Sequence, residues 1–146
     1  MARGYPDYFG YSVFPSFGSF LTEDFDMDAG IALPRQLIFE INAKGKTASG
    51  HINVDYRAAA TGTFLLEVLL DGVIYGYTSS VQDLNYNITD NDQSLLQLKQ
   101  ADQGADFWSY IFGKDWTFGY QFGLYITNFD GNILDVTGLF NYYLYR

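Results

Sequence analysis

From residue 37 onward the chain alternates apolar and polar residues with a period of two, the mark of strands buried on one face. In "LIFEIN" the pattern sets Leu37, Phe39 and Ile41 on one side. "HINVDY" separates Ile52, Val54 and Tyr56 from His51, Asn53 and Asp55. In "TFLLEVLLDGVIYGY", Phe64, Leu66, Val68 and Leu70 lead to Asp71-Gly72, a dipeptide suited to the positive φ angles of a type I′ hairpin turn. The return strand carries Val73, Tyr75 and Tyr77. Residues 79–93 read as a long polar connection with a short strand at Leu84–Ile88. "SLLQLKQ" is expected as a strand and "ADQGAD" as a loop. Trp116, Phe118, Tyr120, Phe122, Leu124 and Ile126 share one phase and predict a single long strand. "NFDGN" is expected to make a second hairpin turn at Asp130-Gly131, before "LFNYYLYR", which is aromatic on both faces.

Eight or nine strands and no stretch with the pattern of a ten-residue amphipathic helix predict an all-β chain. A jelly-roll-like two-sheet β-sandwich leads, with an up-and-down barrel second. Length fits one domain: 146 residues. We place its body at residues 26–146, preceded by an extended arm at residues 1–25.

The arm is expected because of "GYPDYFGYSVFPSFGSF", where Tyr5, Tyr8, Tyr11, Phe14, Phe17 and Phe20 recur every third residue. Polyproline II has that period, rising ~3.1 Å per residue, and would line the rings along one ridge ~45 Å long. A domain of this size is ~40 Å across. Burying six rings would gain on the order of 25 kcal/mol at most. Ordering the segment costs a similar amount at ~1.5 kcal/mol per residue. Such an arm holds only against a preformed groove, on its own body or on a neighbouring subunit. The competing interpretation is a chance period over two short strands.

Composition narrows the function. Thirteen Phe, thirteen Tyr and two Trp accompany a net charge of −9, which disfavours nucleic acid as a partner. No cysteine is present, no apolar run is long enough to span a bilayer, and no secretory signal is expected at "MARGYPDYFG". Reaction chemistry is sparse. The single histidine, His51, falls on the polar side of a strand, no G-x-S-x-G elbow occurs, and Lys44-Gly45-Lys46 reads as a turn. "DFDMDAG" places Asp24, Asp26 and Asp28 at calcium-loop spacing, but Ala29 replaces the required glycine and Arg35 the required glutamate. Alternating acids on an exposed strand or turn fit better, and neither metal nor cofactor is expected.

The aromatic surplus points to contact surfaces. On the last strand Phe140, Tyr142 and Leu144 face one way and Leu139, Tyr143 and Tyr145 the other, so either the strand is central and covered on both faces or one face meets a partner. The expected interface set is Tyr5, Tyr8, Tyr11, Phe14, Phe17, Phe20, Tyr143 and Tyr145. A carbohydrate-binding module stacking sugars on Trp108 or Trp116 is the alternative, and a small β-sandwich glycan hydrolase a weaker one.

"MARGYPDYFGYSVFPSFG" resembles the first residues of small virion-associated β-sandwich proteins of tailed bacteriophages, and "ASGHINVDY" and "LLEVLLDGVIYG" resemble their sandwich bodies. The resemblance is specific over the first 18 residues, loose over residues 37–78, and beyond residue 80 only shared β character remains. It implies a non-enzymatic virion subunit at the capsid surface, as a decoration protein, or at the neck or tail. The implied partners are other virion proteins and copies of itself in a symmetric homo-oligomer, with a trimer among the candidates. It transfers no catalytic residue.

Overall fold

The structure is a computed structural model that describes residues 18–30, 35–57, 64–78, 89–91, 96–102, 104–112 and 115–145. It is all-β. In chain order the strands are β1 (Gly18–Ala29), β2 (Gln36–Ile41), β3 (Gly45–Tyr56), β4 (Phe64–Leu70), β5 (Val73–Thr78) and β6 (Thr89–Asn91). There follow β7 (Leu96–Asp102), β8 (Phe107–Phe112), β9 (Thr117–Phe118), β10 (Phe122–Asn128) and β11 (Leu134–Tyr145). One sheet has the order β1-β11-β3-β8-β7-β6, with β9 pairing β3, and the other β2-β10-β4-β5. Every pairing is antiparallel.

Without β6, β7 and β9, two four-stranded sheets remain, β1-β11-β3-β8 and β2-β10-β4-β5. Along the chain these strands change sheet at every step except the β4–β5 hairpin, and the first and last strands are neighbours. That is the doubled Greek key of a jelly roll, so the expected fold class holds and the barrel does not.

Alternation explains the core. Ile52, Val54 and Tyr56 of β3, Phe64, Leu66, Val68 and Leu70 of β4, and Phe122, Leu124 and Ile126 of β10 are all buried. Between the sheets, Phe122 of β10 stacks on Phe140 of β11 at 4.7 Å and 11°. Phe39 lies 5.0 Å from Phe140 and 5.7 Å from Phe122, and Phe25 lies 5.6 Å from Phe39. Phe112 and Phe118 close the group at 5.0 Å from Phe140 and 5.6 Å from Phe122. Phe25 needs a bare strand opposite it: a Cβ on its register partner Gly138 would come within 2.4 Å of the ring and 2.2 Å of the His51 carbonyl.

The Asp71-Gly72 turn forms as expected, with φ of 48° and 82°, and joins Leu70 to Val73. Other expectations are corrected. Residues 116–126 form no single strand, because β9 joins β3 in one sheet and β10 lies in the other. Alternation specifies which way side chains point but not which sheet a strand enters. The crossing at residues 119–121 is pinned by Asp71, whose carboxylate accepts from the N–H groups of Gly119 (2.7 Å), Tyr120 (2.9 Å) and Gln121 (3.0 Å).

Asp130-Gly131 is likewise no hairpin turn: the strands it separates lie in different sheets and neither residue has positive φ. Buried Asn128 organises that crossing. It donates to the carbonyls of Gly30 (3.1 Å) and Asn132 (2.7 Å) and accepts from the Tyr56 hydroxyl (3.1 Å) and the Asp130 N–H (2.9 Å). In β2 a register shift opposite Leu124 and Tyr125 breaks the expected face, so Ile41 is buried while Leu37 is exposed. "ADQGAD" is partly strand, since β7 runs to Asp102. Leu84–Ile88 lies outside the described residues.

Residues 18–25, placed in the arm by sequence, belong to β1 and pair with β11 throughout. Phe20, the last of the period-three rings, is therefore on a β-strand. The other five lie outside the described residues.

Asp71 makes the β9–β10 crossing pH-dependent. Partial burial pushes its carboxyl up, but the N–H donors outweigh it and hold the pKa below the ordinary value. A depressed folded-state pKa gives stability that is complete above about pH 4 and is lost as pH falls through the lower value. Asp71→Asn, which keeps a turn-competent residue, should cost about 1–2 kcal/mol at pH 7 by urea unfolding, discounted for the site's exposure. The gap to the parent chain should shrink below pH 4, and an unchanged gap at pH 2 would contradict the latch.

Candidate assembly surface

The outer face of the larger sheet carries the described part of the expected interface. On β1, odd residues Phe25, Met27 and Ala29 pack the core, so Phe20, Thr22, Asp24, Asp26 and Asp28 face outward. Register extends these positions into rows across β11 and β3.

The first row is aromatic and cationic. Phe20 meets Tyr143 edge-on at 5.1 Å and remains 55% exposed, while Lys46 lies 5.8 Å over the other side of Tyr143 and pairs with Asp115 at 3.4 Å. Tyr145, opposite Gly18, is half-buried, with its hydroxyl enclosed and, among the described residues, unpartnered. The second row is a hydrogen-bond chain: Thr22 donates to Asn141 (2.8 Å) and Asn141 to Ser49 (2.9 Å). His51 follows in the third row, exposed beside Leu139 and Ile111.

The last row is acidic, with Asp28, Asp135 and Asp55 side by side on β1, β11 and β3. Arg57 closes it, donating through Nε to both Asp135 oxygens at 2.9 Å and through its Nη2 to Asp28. That guanidinium holds the Asp135 carboxyl below its usual range. Asp55, beyond its reach, is pushed up by burial and then by the charges of Asp135 and Asp106. On the inner side Tyr142 donates to Glu23 at 2.9 Å, and burial followed by that acid pushes its phenol up to about 12.

Of the expected interface residues, the fold brings Phe20 and Tyr143 into contact and places Tyr145 in the same strand as Tyr143. Tyr5, Tyr8, Tyr11, Phe14 and Phe17 lie outside the described residues. Trp108 is fully buried among Tyr56 and Phe64, where no sugar can reach its face. Trp116 is half-buried, 6.4 Å from the Tyr75 ring.

Asp24, Asp26 and Asp28 stand on a straight strand, roughly 7 Å apart in succession, and do not form a loop around one ion. Arg35 instead pairs with Glu67 at 3.3 Å and lies 3.7 Å over the Tyr125 ring. Among the described residues no group of three or more His, Asp or Glu side chains could hold a metal, and no helix is long and apolar enough to cross a membrane. Sequence reasoning missed Lys46 as a partner of Tyr143, the Asn128 hub and the second role of Asp71. Only the last had a local signal, in its Asp-Gly turn.

No family model and no curated protein matches the chain. Among solved structures it is similar to a chain of the acidic stable capsid structure of Helicobacter pylori bacteriophage KHP30, with 10% identity and a TM-score of 0.43, over 87% of this chain and 93% of that one. It is also similar to the infectious bursal disease virus VP2 subviral particle chain, with 10% identity and a TM-score of 0.29, over 87% of this chain and 41% of that one. These neighbours are viral capsid structures.

Replacing Arg57 by Met should leave Asp135 beside Asp28 and Asp55 with no counter-charge among the described residues. NMR titration should show the Asp135 pKa rising above the ordinary carboxylate value. Its contribution then reverses sign: the parent gains stability as pH rises from 3 to 7, and the variant loses it. An unmoved Asp135 pKa would refute the pairing.

Proposed function

We propose that the chain is a non-enzymatic structural subunit of a bacteriophage virion, at the capsid surface or the neck or tail. It assembles into homo-oligomers through the arm before β1 and the aromatic end of the outer face. The observation that carries this reading is the contact of Phe20 with Tyr143: the last ring of the period-three run lies on an aromatic patch with more than half its own surface exposed. The remaining rings precede it in the chain and have the reach to cover a neighbouring subunit. The resemblance of residues 1–18 to virion-associated proteins supports the same assignment. Carbohydrate binding, with Trp116 as the accessible platform beside Tyr75, is the second reading.

Deleting residues 1–17 leaves β1 whole and separates arm from body. The shortened chain should keep its melting temperature within a few degrees yet no longer co-purify with particles of the phage that encodes it, while the full chain is detected in them by mass spectrometry. Full incorporation of the shortened chain would contradict the arm's role, and absence of the full chain from particles would contradict the virion reading. A glycan-array signal abolished by Trp116→Ala would favour the second.

A further inference from the structure

Apart from the two-residue β9, the sheets end on four strands among the described residues, and three of them are guarded. β1 carries Glu23, Asp24, Asp26 and Asp28, β2 carries Glu40 and follows Arg35, and β6 is a three-residue strand containing Asp90. Charges and shortness are how edges avoid pairing with other chains. β5, Val73–Thr78 with the sequence VIYGYT, has neither protection. Between Asp71 and Asp83 the chain has no charged residue and no proline. Val73, Ile74 and Tyr75 are 53%, 51% and 37% exposed, and no described strand pairs beyond β5.

The hairpin determines which backbone groups face outward. In a two-residue hairpin the closing pair, here Leu70 with Val73, exchanges both hydrogen bonds, and bonding direction then alternates along the strand. Val73, Tyr75 and Tyr77 bond toward β4, which leaves the N–H and C=O groups of Ile74, Gly76 and Thr78 pointing away from the sheet.

We infer that β5 pairs antiparallel with β5 of a second copy of this chain about a two-fold axis through Gly76. An isologous contact requires that the strand complement itself, and Tyr75-Gly76-Tyr77 is symmetric about its centre. In that register Gly76 faces Gly76 of the second copy and Ile74 faces Thr78, so every outward group finds a partner. Tyr75 faces Tyr77 in the closer, non-bonded positions. The two small sheets become one continuous sheet. Charge selects the occupant: chains of net charge −9 repel, and this uncharged edge is where two of them meet at least electrostatic cost. The pairing stands whether or not the chain is a virion component.

Sedimentation of the full-length chain over a concentration series is expected to show a monomer–dimer equilibrium. Ile74→Lys sets two charges on the shared edge and should weaken dimerisation by about tenfold or more, with an unchanged circular dichroism spectrum and melting curve at low concentration. Leu37→Lys, on the exposed face of β2, should leave it unchanged. Because the chain lacks cysteine, Gly76→Cys supplies a positional test. Bonded antiparallel partners lie about 5.5 Å apart at Cα, within disulfide range, so mild oxidation should yield a covalent dimer where Phe129→Cys does not. A monomer at every concentration, a dimer indifferent to Ile74→Lys, or equal cross-linking at positions 76 and 129 would overturn the inference. Loss of dimer with Tyr143→Ala instead would assign self-association to the outer face of the larger sheet.

Discussion

The stack of Phe122 on Phe140 joins the two halves of this protein. One ring comes from each sheet, and the rings that touch the pair arrive from β2, β8, β9 and β11, with Phe25 of β1 reaching it through Phe39. In a jelly roll almost every consecutive pair of strands lies in opposite sheets, so hairpin hydrogen bonds cannot hold the layers together. Apolar contact across the gap must do it. Offset and tilted rings suit that task, because each buries a large area and still constrains the angle at which the sheets meet.

Once the layers are fixed, every crossing between them must satisfy its backbone away from a regular ladder. The chain does this with short polar side chains. Asp71 gathers consecutive N–H groups at one end, and Asn128 serves three carbonyls and a tyrosine at the crossing into β11; nearby, the longer Arg57 ties the end of β3 to carboxylates of β1 and β11. Aromatics that the core does not absorb remain outside. Phe20 and Tyr143 mark one end of the outer face, Tyr75 the edge of the smaller sheet, and acids hold the opposite end of the outer face. The resulting surface is divided between exposed aromatic parts and acidic parts.

Side-chain direction was legible along most of the sequence, and sheet membership was not. β3, β4 and the body of β11 present the faces their alternation predicts, and the β4–β5 hairpin follows from an Asp-Gly turn whose geometry is local. The run from Trp116 to Ile126 alternates without a break in sequence, yet the chain leaves one sheet for the other within it and Tyr120 at the crossing is exposed, because a period of two carries no record of the partner. Asp130-Gly131 resembles Asp71-Gly72 in sequence, yet its neighbours Asn128 and Asn132 draw it into a buried polar hub. The contact of Phe20 with Tyr143 joins residues far apart in the chain, and only the register of β1 on β11 reveals it. The missing charge in β5 was visible from the start, but its meaning depended on β5 being an edge.

A double-mutant cycle on Phe122→Leu and Phe140→Leu, read by urea unfolding, tests most directly whether ring stacking joins the sheets. Leucine keeps both positions apolar, so the cycle isolates what the paired rings add to burial. A coupling of about 1 kcal/mol is expected. A coupling near zero would mean that the layers are held by apolar area alone and that the stack has no special role.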